Sequence, residues 1–438
     1  MRTTTIALAE SLALALTLVS PISPQRASAQ ATPLRAYSWQ APRTQTTNIT
    51  PMLSVGSGAA TNAALSQQVT GPVVWLWAGG IFASNQDDAP AGAPAGGAWK
   101  NVSFTHAKAA AATAIGGYIE DYKANGGVPP AFIAMDVEDS AQYWAIPSAD
   151  NFAAIWSDPN STAFRGMLSQ YSTWQEATTW PDGVIAWDQA ADHLQNEAMN
   201  ESLFETARGF WQNIALSNYD SFVVSQGEST SVRSLSTFYE YSDNIVGTHM
   251  SPSFYGYVIN TPNYYGGTAF DTLRWEVNRL RQMRRSSSST PIWPWLAFGS
   301  YSGSRYANTA YYRELVFHVA MNGASGVLYW NPTGATADDD KLLDESLTEI
   351  NARFSTCARA QAITTTADWN SDLLVSSVQV GTGVWHWRVT VKPDVTQVRV
   401  LSTDTLLPVA PGEAGVWFTT ASASVPSFQA EYTGGYCQ

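Results

Sequence analysis

The sequence predicts an α/β protein, a TIM-like (β/α) barrel of seven or eight strands followed by a small all-β sandwich domain. Three observations carry this. From Leu34 to Phe354 short apolar runs alternate with helix-like segments, the rhythm of parallel strands joined by helical crossovers. Beyond Cys357 short alternating strands follow one another with no helix between them. The glycine fingerprint of a nucleotide-binding open sheet is absent after the first strand. The domain limits follow as 1–29 for a cleaved leader, 30–360 for the barrel and 361–438 for the sandwich.

In chain order, Arg2, the apolar stretch Ile6–Val19 and Ala27-Ser28-Ala29 form a leader with a small-x-small cleavage site, so a secreted, extracellular protein is expected. Leu34–Trp39 reads as the first strand and Val73–Trp77 as the second. A Gly, Ala and Pro-rich loop spans Gly79 to Gly97, with the composition of a lid or cleft wall. His106–Lys123 is an alanine-rich helix stopped by Gly126-Gly127. Phe132–Glu138 is a buried strand and Val184–Trp187 another, tipped by Asp188. Glu201–Leu216 reads as a helix with Phe204, Ala207, Phe210, Trp211 and Ile214 on one face. Ser221–Val224 is a short strand, and Asn244–Tyr257 contains one ending in Ser-Pro-Ser-Phe-Tyr. Helix Phe270–Arg285, strand Ile292–Phe298, helix Tyr311–Asn322, strand Gly326–Trp330 and helix Lys341–Phe354 close the series. Leu373–Val380, Val384–Val391, Thr396–Leu401 and Gly415–Thr419 are the sandwich strands.

Composition narrows the partners. The formal charge is -13, from 23 Lys+Arg against 36 Asp+Glu, and the one basic run, Arg281-Gln-Met-Arg-Arg, falls on a helix. Nucleic acid is therefore not an expected partner. No apolar run after the leader is long enough for a membrane span. The 18 Trp and 19 Tyr suit a core, and equally a surface that stacks on sugar rings. The five histidines are scattered without ligand spacing, so neither a metal nor another cofactor is expected. Cys357 and Cys437, an isolated pair in an exported chain, suggest one disulfide tying the C-terminus back to the barrel's end. Nothing in the sequence fixes the oligomeric state.

The candidate site lies on Phe132–Glu138. Side chains on a strand alternate, so Ala134, Asp136 and Glu138 share one face, with both acids at the C-terminal end, where a barrel opens. Two neighbouring carboxyls repel, which favours keeping one protonated as an acid. Trp77, Asp188, Tyr255 and Trp330 also fall at strand tips. Aromatic rings around two carboxyls suit a carbohydrate, with the rings stacking on the sugar and the acid protonating the departing oxygen. Taken singly, Asp-x-Glu also fits a strand end that caps loop amides, and Tyr255 or Trp330 fits rim packing.

Several segments in order resemble the hyaluronidase family of glycoside hydrolases. They are Ala36-Tyr37-Ser38-Trp39, Trp77-Ala-Gly-Gly-Ile-Phe82, Ile133-Ala-Met-Asp136-Val-Glu138, Phe204-Glu-Thr-Ala-Arg-Gly-Phe210, Pro252-Ser-Phe-Tyr255 and Gly323-Ala-Ser-Gly-Val-Leu-Tyr-Trp330. The resemblance implies a distorted barrel, with Glu138 as general acid/base and Asp136 assisting it. Tyr255 would orient an acetamido group that serves as the nucleophile, and Trp330 would floor the pocket. Trp77, Tyr37, Gln226 and Asp188 are further candidates for contacts to the sugar. This chain departs from the family in three ways. Ser221-Phe-Val-Val-Ser-Gln226 lacks the tyrosine pair of the family's fourth strand, the cysteine-rich tail is replaced by the sandwich, and the Ala141–Trp180 connection is long. Asp188 as a second catalytic carboxylate, on sugars without an acetamido group, is the first alternative. A barrel that binds carbohydrate without turnover is the second. The expected substrate is a neutral or weakly charged glycan.

Overall fold

The computed structural model describes residues 33–77, 109, 112–136, 200–219, 248–255, 268–286, 290–298, 309–354, 371–381, 383–421 and 426–432. Its first part is a set of short parallel strands. They are β1 (Ala36–Ser38), β2 (Ile49–Pro51), β3 (Leu53–Ser54), β4 (Val73–Trp77), β5 (Phe132–Asp136), β6 (Ala215–Asn218), β7 (Ser253–Tyr255), β8 (Trp295–Ala297) and β9 (Val327–Tyr329). One sheet has the order β2-β1-β9-β8-β7 and the other β3-β4-β5-β6. β2 and β3 are consecutive along one segment, so the two sheets share an edge there. On the opposite side the amides of Thr248 and His249 donate to the Leu216 carbonyl, at 2.8 and 3.2 Å, and Ser217 Oγ meets Ser251 Oγ at 2.5 Å. Those contacts carry β6 across to the segment that leads into β7. Every strand pairing in both sheets is parallel, so all the C-terminal ends lie on one side.

Strand alternation separates two surfaces. On β5, Ile133 and Met135 pack outward with Val74, Leu76 and Leu216 against Ala63 of helix α1 (Ala59–Ser66), Ile119 and Tyr122 of α2 (Gly117–Ala124) and Ala207 of α3 (Glu205–Phe210). Phe132 and Ala134 face the other way, in a cluster with Tyr37, Val73, Tyr219, Trp295 and Leu328. The period of two thus holds along β5, as its sequence implies.

Two departures from the expected elements affect the site. The segment Ile49–Ser54 is an unforeseen strand, paired with β1 through its first half and with β4 through its second. Pro51, which lacks an N–H, hides it in the sequence. The helix expected over Glu201–Leu216 stops at Phe210, where Trp211 turns extended (φ -139°, ψ 92°). Ala215–Asn218 is instead the strand beside β5, so sheet pairing overrides a helical pattern that ran on through Ile214. Val184–Asp188, Ser221–Gln226, Glu138, Cys357 and Cys437 lie outside the described residues.

Helices α4 (Ala269–Ser286), α5 (Thr309–Met321) and α6 (Ala337–Phe354) cover the other sheet. α4 and α6 open with reciprocal caps. The Thr268 amide donates to Asp271 Oδ2 at 2.9 Å and the Thr336 amide to Asp339 Oδ2 at 2.7 Å, while each acid's own amide returns a bond to the threonine hydroxyl.

The C-terminal strands form two antiparallel three-stranded sheets. β10 (Leu373–Gly381), β11 (Val384–Val391) and β14 (Gly415–Thr420) make one, in the order β10-β11-β14. β13 (Thr405–Pro408), β12 (Val395–Val400) and β15 (Phe428–Tyr432) make the other, in the order β13-β12-β15. Val389, Val391, Val395 and Val398 lie between them. β13 and β15 were not anticipated; β13 is an exposed edge with little apolar alternation.

This unit is bonded to α4 and α5 through buried polar groups. Arg388 makes a bidentate pair with Glu314, its Nε 2.7 Å from Oε2, and Thr390 Oγ1 donates to the same Oε2 at 2.5 Å. His318 bridges Ser376 Oγ (2.7 Å) and Thr390 Oγ1 (2.8 Å). Arg281, from the one basic run of the sequence, is buried here and donates to the Val375 carbonyl and to Ser376 Oγ. Gly415 runs against the pair, since a Cβ there would come within 2.9 Å of Glu314 Oε2 and 2.7 Å of the Val389 carbonyl.

Candidate functional site

The inward faces of the strands are built of aromatic layers. Level with the start of β5, Trp293 stacks on Phe132 (ring centroids 4.5 Å apart) and on Tyr37 (5.3 Å), and the His249 ring sits edge-on to Phe132. Gly326 makes room for this layer, because a Cβ there would lie 2.7 Å from the Trp293 ring. Burial pushes His249 down to about 4, so it is a neutral member of the layer. A second layer pairs Trp39 edge-to-face with Trp75 (5.7 Å) and Tyr219 with Trp295 (5.9 Å).

Asp136 stands above Trp75 as the last residue of β5. Register pairs it with Trp77, while Trp75 pairs with Ala134 one step below. The Trp75 indole reaches diagonally and donates from Nε1 to Asp136 Oδ2 at 3.1 Å. Asp136, Trp39, Trp75 and Trp330 are all half-buried, neither sealed in the core nor free in solvent.

The loops after β1 and β9 are locked together beside these rings. Asn331 is fully buried, and its side-chain amide pairs with the backbone of Gln40, accepting from the amide at 2.7 Å and donating to the carbonyl at 3.0 Å. Arg43 ties the same loops, donating to the Pro332 carbonyl at 2.7 Å, while its own amide donates to Asp340 Oδ2 at 2.6 Å. Trp39 and Trp330 flank this clamp, so their backbones are held by hydrogen bonds on both sides, with Trp39 N bonded to the Tyr329 carbonyl and Trp330 N to that of Leu296.

Of the residues singled out by sequence, Trp77, Asp136, Tyr255 and Trp330 fall at or just past the C-terminal ends of β4, β5, β7 and β9, on one side of the sheets. Tyr37 does not join them. It is buried in the Trp293 layer, where burial raises its phenol above the ordinary tyrosine value. Glu138, Asp188 and Gln226 lie outside the described residues. Sequence reasoning passed over Trp75, Trp39 and Tyr219. The parity of Trp75 with Trp77, and of Trp39 with Tyr37, was the available signal for the first two. Tyr219 follows the strand that had been read as helix. Among the described residues, no group of three or more His, Cys, Asp or Glu is placed to hold a metal ion, and no helix is long and apolar enough to cross a membrane.

No model of a known protein family matches the chain, and no curated protein sequence matches it. Among solved structures, it is similar to the glycoside hydrolase domain of PgaB (BpsB) from Bordetella bronchiseptica, at 14% identity and a TM-score of 0.34, over 63% of this chain and 76% of that one. It is also similar to a glucosidase from Croceicoccus marinus, at 11% identity and a TM-score of 0.30, covering 88% of this chain and 83% of that one. A GH27 β-L-arabinopyranosidase from Geobacillus stearothermophilus aligns at 10% identity and a TM-score of 0.34, over 91% of this chain and 98% of its own.

Proposed function

We propose that the parallel strands form a closed (β/α) barrel and that their C-terminal edge is the active site of a secreted glycoside hydrolase. The observation that carries this is Asp136 at the tip of β5, bonded by Trp75, whose ring meets that of Trp39 edge to face. A carboxylate held by a tryptophan gives a sugar both an apolar platform and a polar reacting group. Glu138 follows two residues later in the sequence. In this reading it is the general acid/base, protonating the leaving oxygen and then activating water, and Asp136 assists it. A retaining mechanism in which the substrate's acetamido group attacks the anomeric carbon, oriented by Tyr255, follows from the resemblance to hyaluronidases. The leader ending at Ala29 and a Cys357–Cys437 disulfide belong to the same reading of an exported enzyme.

The test is a panel of hyaluronan, chondroitin, chitin oligosaccharides and neutral α- and β-glucans, with release of reducing ends measured for wild type and Glu138→Gln. Cleavage of one member, lowered on the order of 100-fold or more in the variant, is expected. A glycan that binds unchanged and is never cut would identify a carbohydrate-binding protein instead.

A further inference from the structure

Trp75 is more than a wall of the site. Its ring makes a T-shaped contact with that of Trp39, whose following residue is clamped by the buried Asn331. A line of fixed groups therefore runs from the end of β9 through Gln40, Trp39 and Trp75 to the Asp136 carboxylate. An indole nitrogen donates and never accepts. The bond occupies a lone pair of Oδ2 and makes that oxygen the less basic of the two. A proton that Asp136 shares with a neighbour or with substrate is therefore favoured on Oδ1.

We propose that Trp75 is a positioning residue for the reaction, fixing the plane of the Asp136 carboxylate and biasing its proton toward Oδ1. This rests on the reading of Asp136 and Glu138 as the acid pair. Nothing in the chemistry of an apolar platform requires the donor. A phenylalanine at position 75 would stack as well on a sugar, and the N–H is what distinguishes the two roles.

Two measurements separate this proposal from the reading beneath it. The first needs no turnover. With 15N-labelled indoles, the Trp75 Nε1–H resonance, identified by its loss in Trp75→Phe, is expected to shift with pH as Asp136 titrates and to stop shifting in Asp136→Asn. If Trp75→Phe does not fold, one indole resonance that titrates in wild type and not in Asp136→Asn makes the same point. The absence of any such resonance overturns the proposal.

The second uses the panel polysaccharide cleaved fastest by wild type. Trp75→Phe is expected to lower kcat roughly 10- to 100-fold, the range lost when a partner that orients a working group is removed, with KM changed by less than about twofold. Asp136→Asn/Trp75→Phe should be no slower than Asp136→Asn alone. Losses that multiply, or a Trp75→Phe kcat equal to wild type, overturn the positioning role. Full activity in Asp136→Asn overturns the acid-pair reading itself, and the resonance then reports separately on the bond.

Discussion

The strand tips and the seam between the two units treat charge in opposite ways. At the seam, Glu314 and His318 have no exposed surface and Arg388 almost none, and each is held by two or more side-chain partners. At the tips, Asp136 is half-buried and rests on an indole among other half-buried rings. A buried ion pair with every bond made fixes one arrangement of its neighbours, and its desolvation is recovered only in that arrangement. A carboxylate left half-open among rings can still exchange protons with something that arrives. The contrast separates polar groups that hold this molecule together from one that stays open to another.

The largest expected effect breaks the site and spares the seam. Glu138→Gln should lower turnover on the order of 100-fold or more and leave the urea midpoint where it was. Asp188→Asn measured beside it sharpens the mechanism. A mild loss favours the acetamido nucleophile, and a loss as deep as that of Glu138→Gln favours two-carboxylate chemistry.

The converse substitution breaks the seam. Arg388→Met leaves the Glu314 carboxylate buried without its guanidinium, and the cost should be about 3–5 kcal/mol in urea denaturation. Arg388→Met/Glu314→Leu should recover much of that, because both desolvated charges are gone. A single variant as stable as wild type would show that the pair is not what docks the sandwich. Gly415→Ala should destabilise by the same route, since its Cβ would press on Glu314 Oε2.

The two regions also differ in how far the sequence revealed them. The face shared by Ala134 and Asp136 was legible, because strand parity is local and β5 lies between clear breakers. The Trp75–Asp136 bond was not, because it joins residues 61 apart through a register that sequence does not contain. The same holds for Arg388 and Glu314, 74 apart. Ile49–Ser54 was missed because a strand of this length with a proline inside carries no pattern of its own. Ala215–Asn218 was missed because Phe204, Ala207, Trp211 and Ile214 keep a helical spacing almost up to it. Leu216 on its outer side, and Ile214 just before it, still pack in the same cluster as Phe204 and Ala207, so the apolar count was right and the period was wrong.

A smaller effect comes from acid at the seam. Thr390 spends its hydroxyl proton on Glu314, so His318 Nε2 must be the donor to Thr390 Oγ1, and Nδ1 accepts from Ser376. The ring is full as a neutral imidazole. Burial first, and then Arg281 and Arg388, hold its pKa well below the ordinary 6.5. The sign follows from linkage. Above 6.5 neither state binds the proton and stability is complete. As pH falls below 6.5 the unfolded chain takes it up and the native state does not. Stability then declines by about 1.4 kcal/mol per pH unit for each such histidine until its folded-state pKa is reached. His249, near 4 in the fold, adds to the decline with the same sign. Thermal melts should therefore fall from pH 7 to pH 5, and His318→Gln, though less stable at pH 7, should show a shallower decline. A wild-type Tm constant over that range would refute the buried neutral histidine.

The smallest expected effect is that of salt at the strand tips. The chain carries a formal charge of -13, and an enzyme that threads a polyanion gains from a positive groove. Among the described residues, strands β1–β9 contain no lysine or arginine, and their inward side carries the aromatic cluster. Arg43, beside the Trp330 loop, is turned onto the carbonyls of Asn331 and Pro332. Exposed charges further off are screened within roughly 10 Å at 0.1 M salt, so only groups lining the groove would count. A neutral or weakly charged glycan held by stacking is the substrate we propose on that ground. Its hydrolysis should change by less than about twofold between 20 and 200 mM salt, because stacking carries no counterion term. Hyaluronan, with a carboxylate on each disaccharide, should be cut slowly at both. Rapid hyaluronan cleavage that collapses as salt is added would mean that cations outside the described residues line the groove, and the tips would then be governed by charge as the seam is.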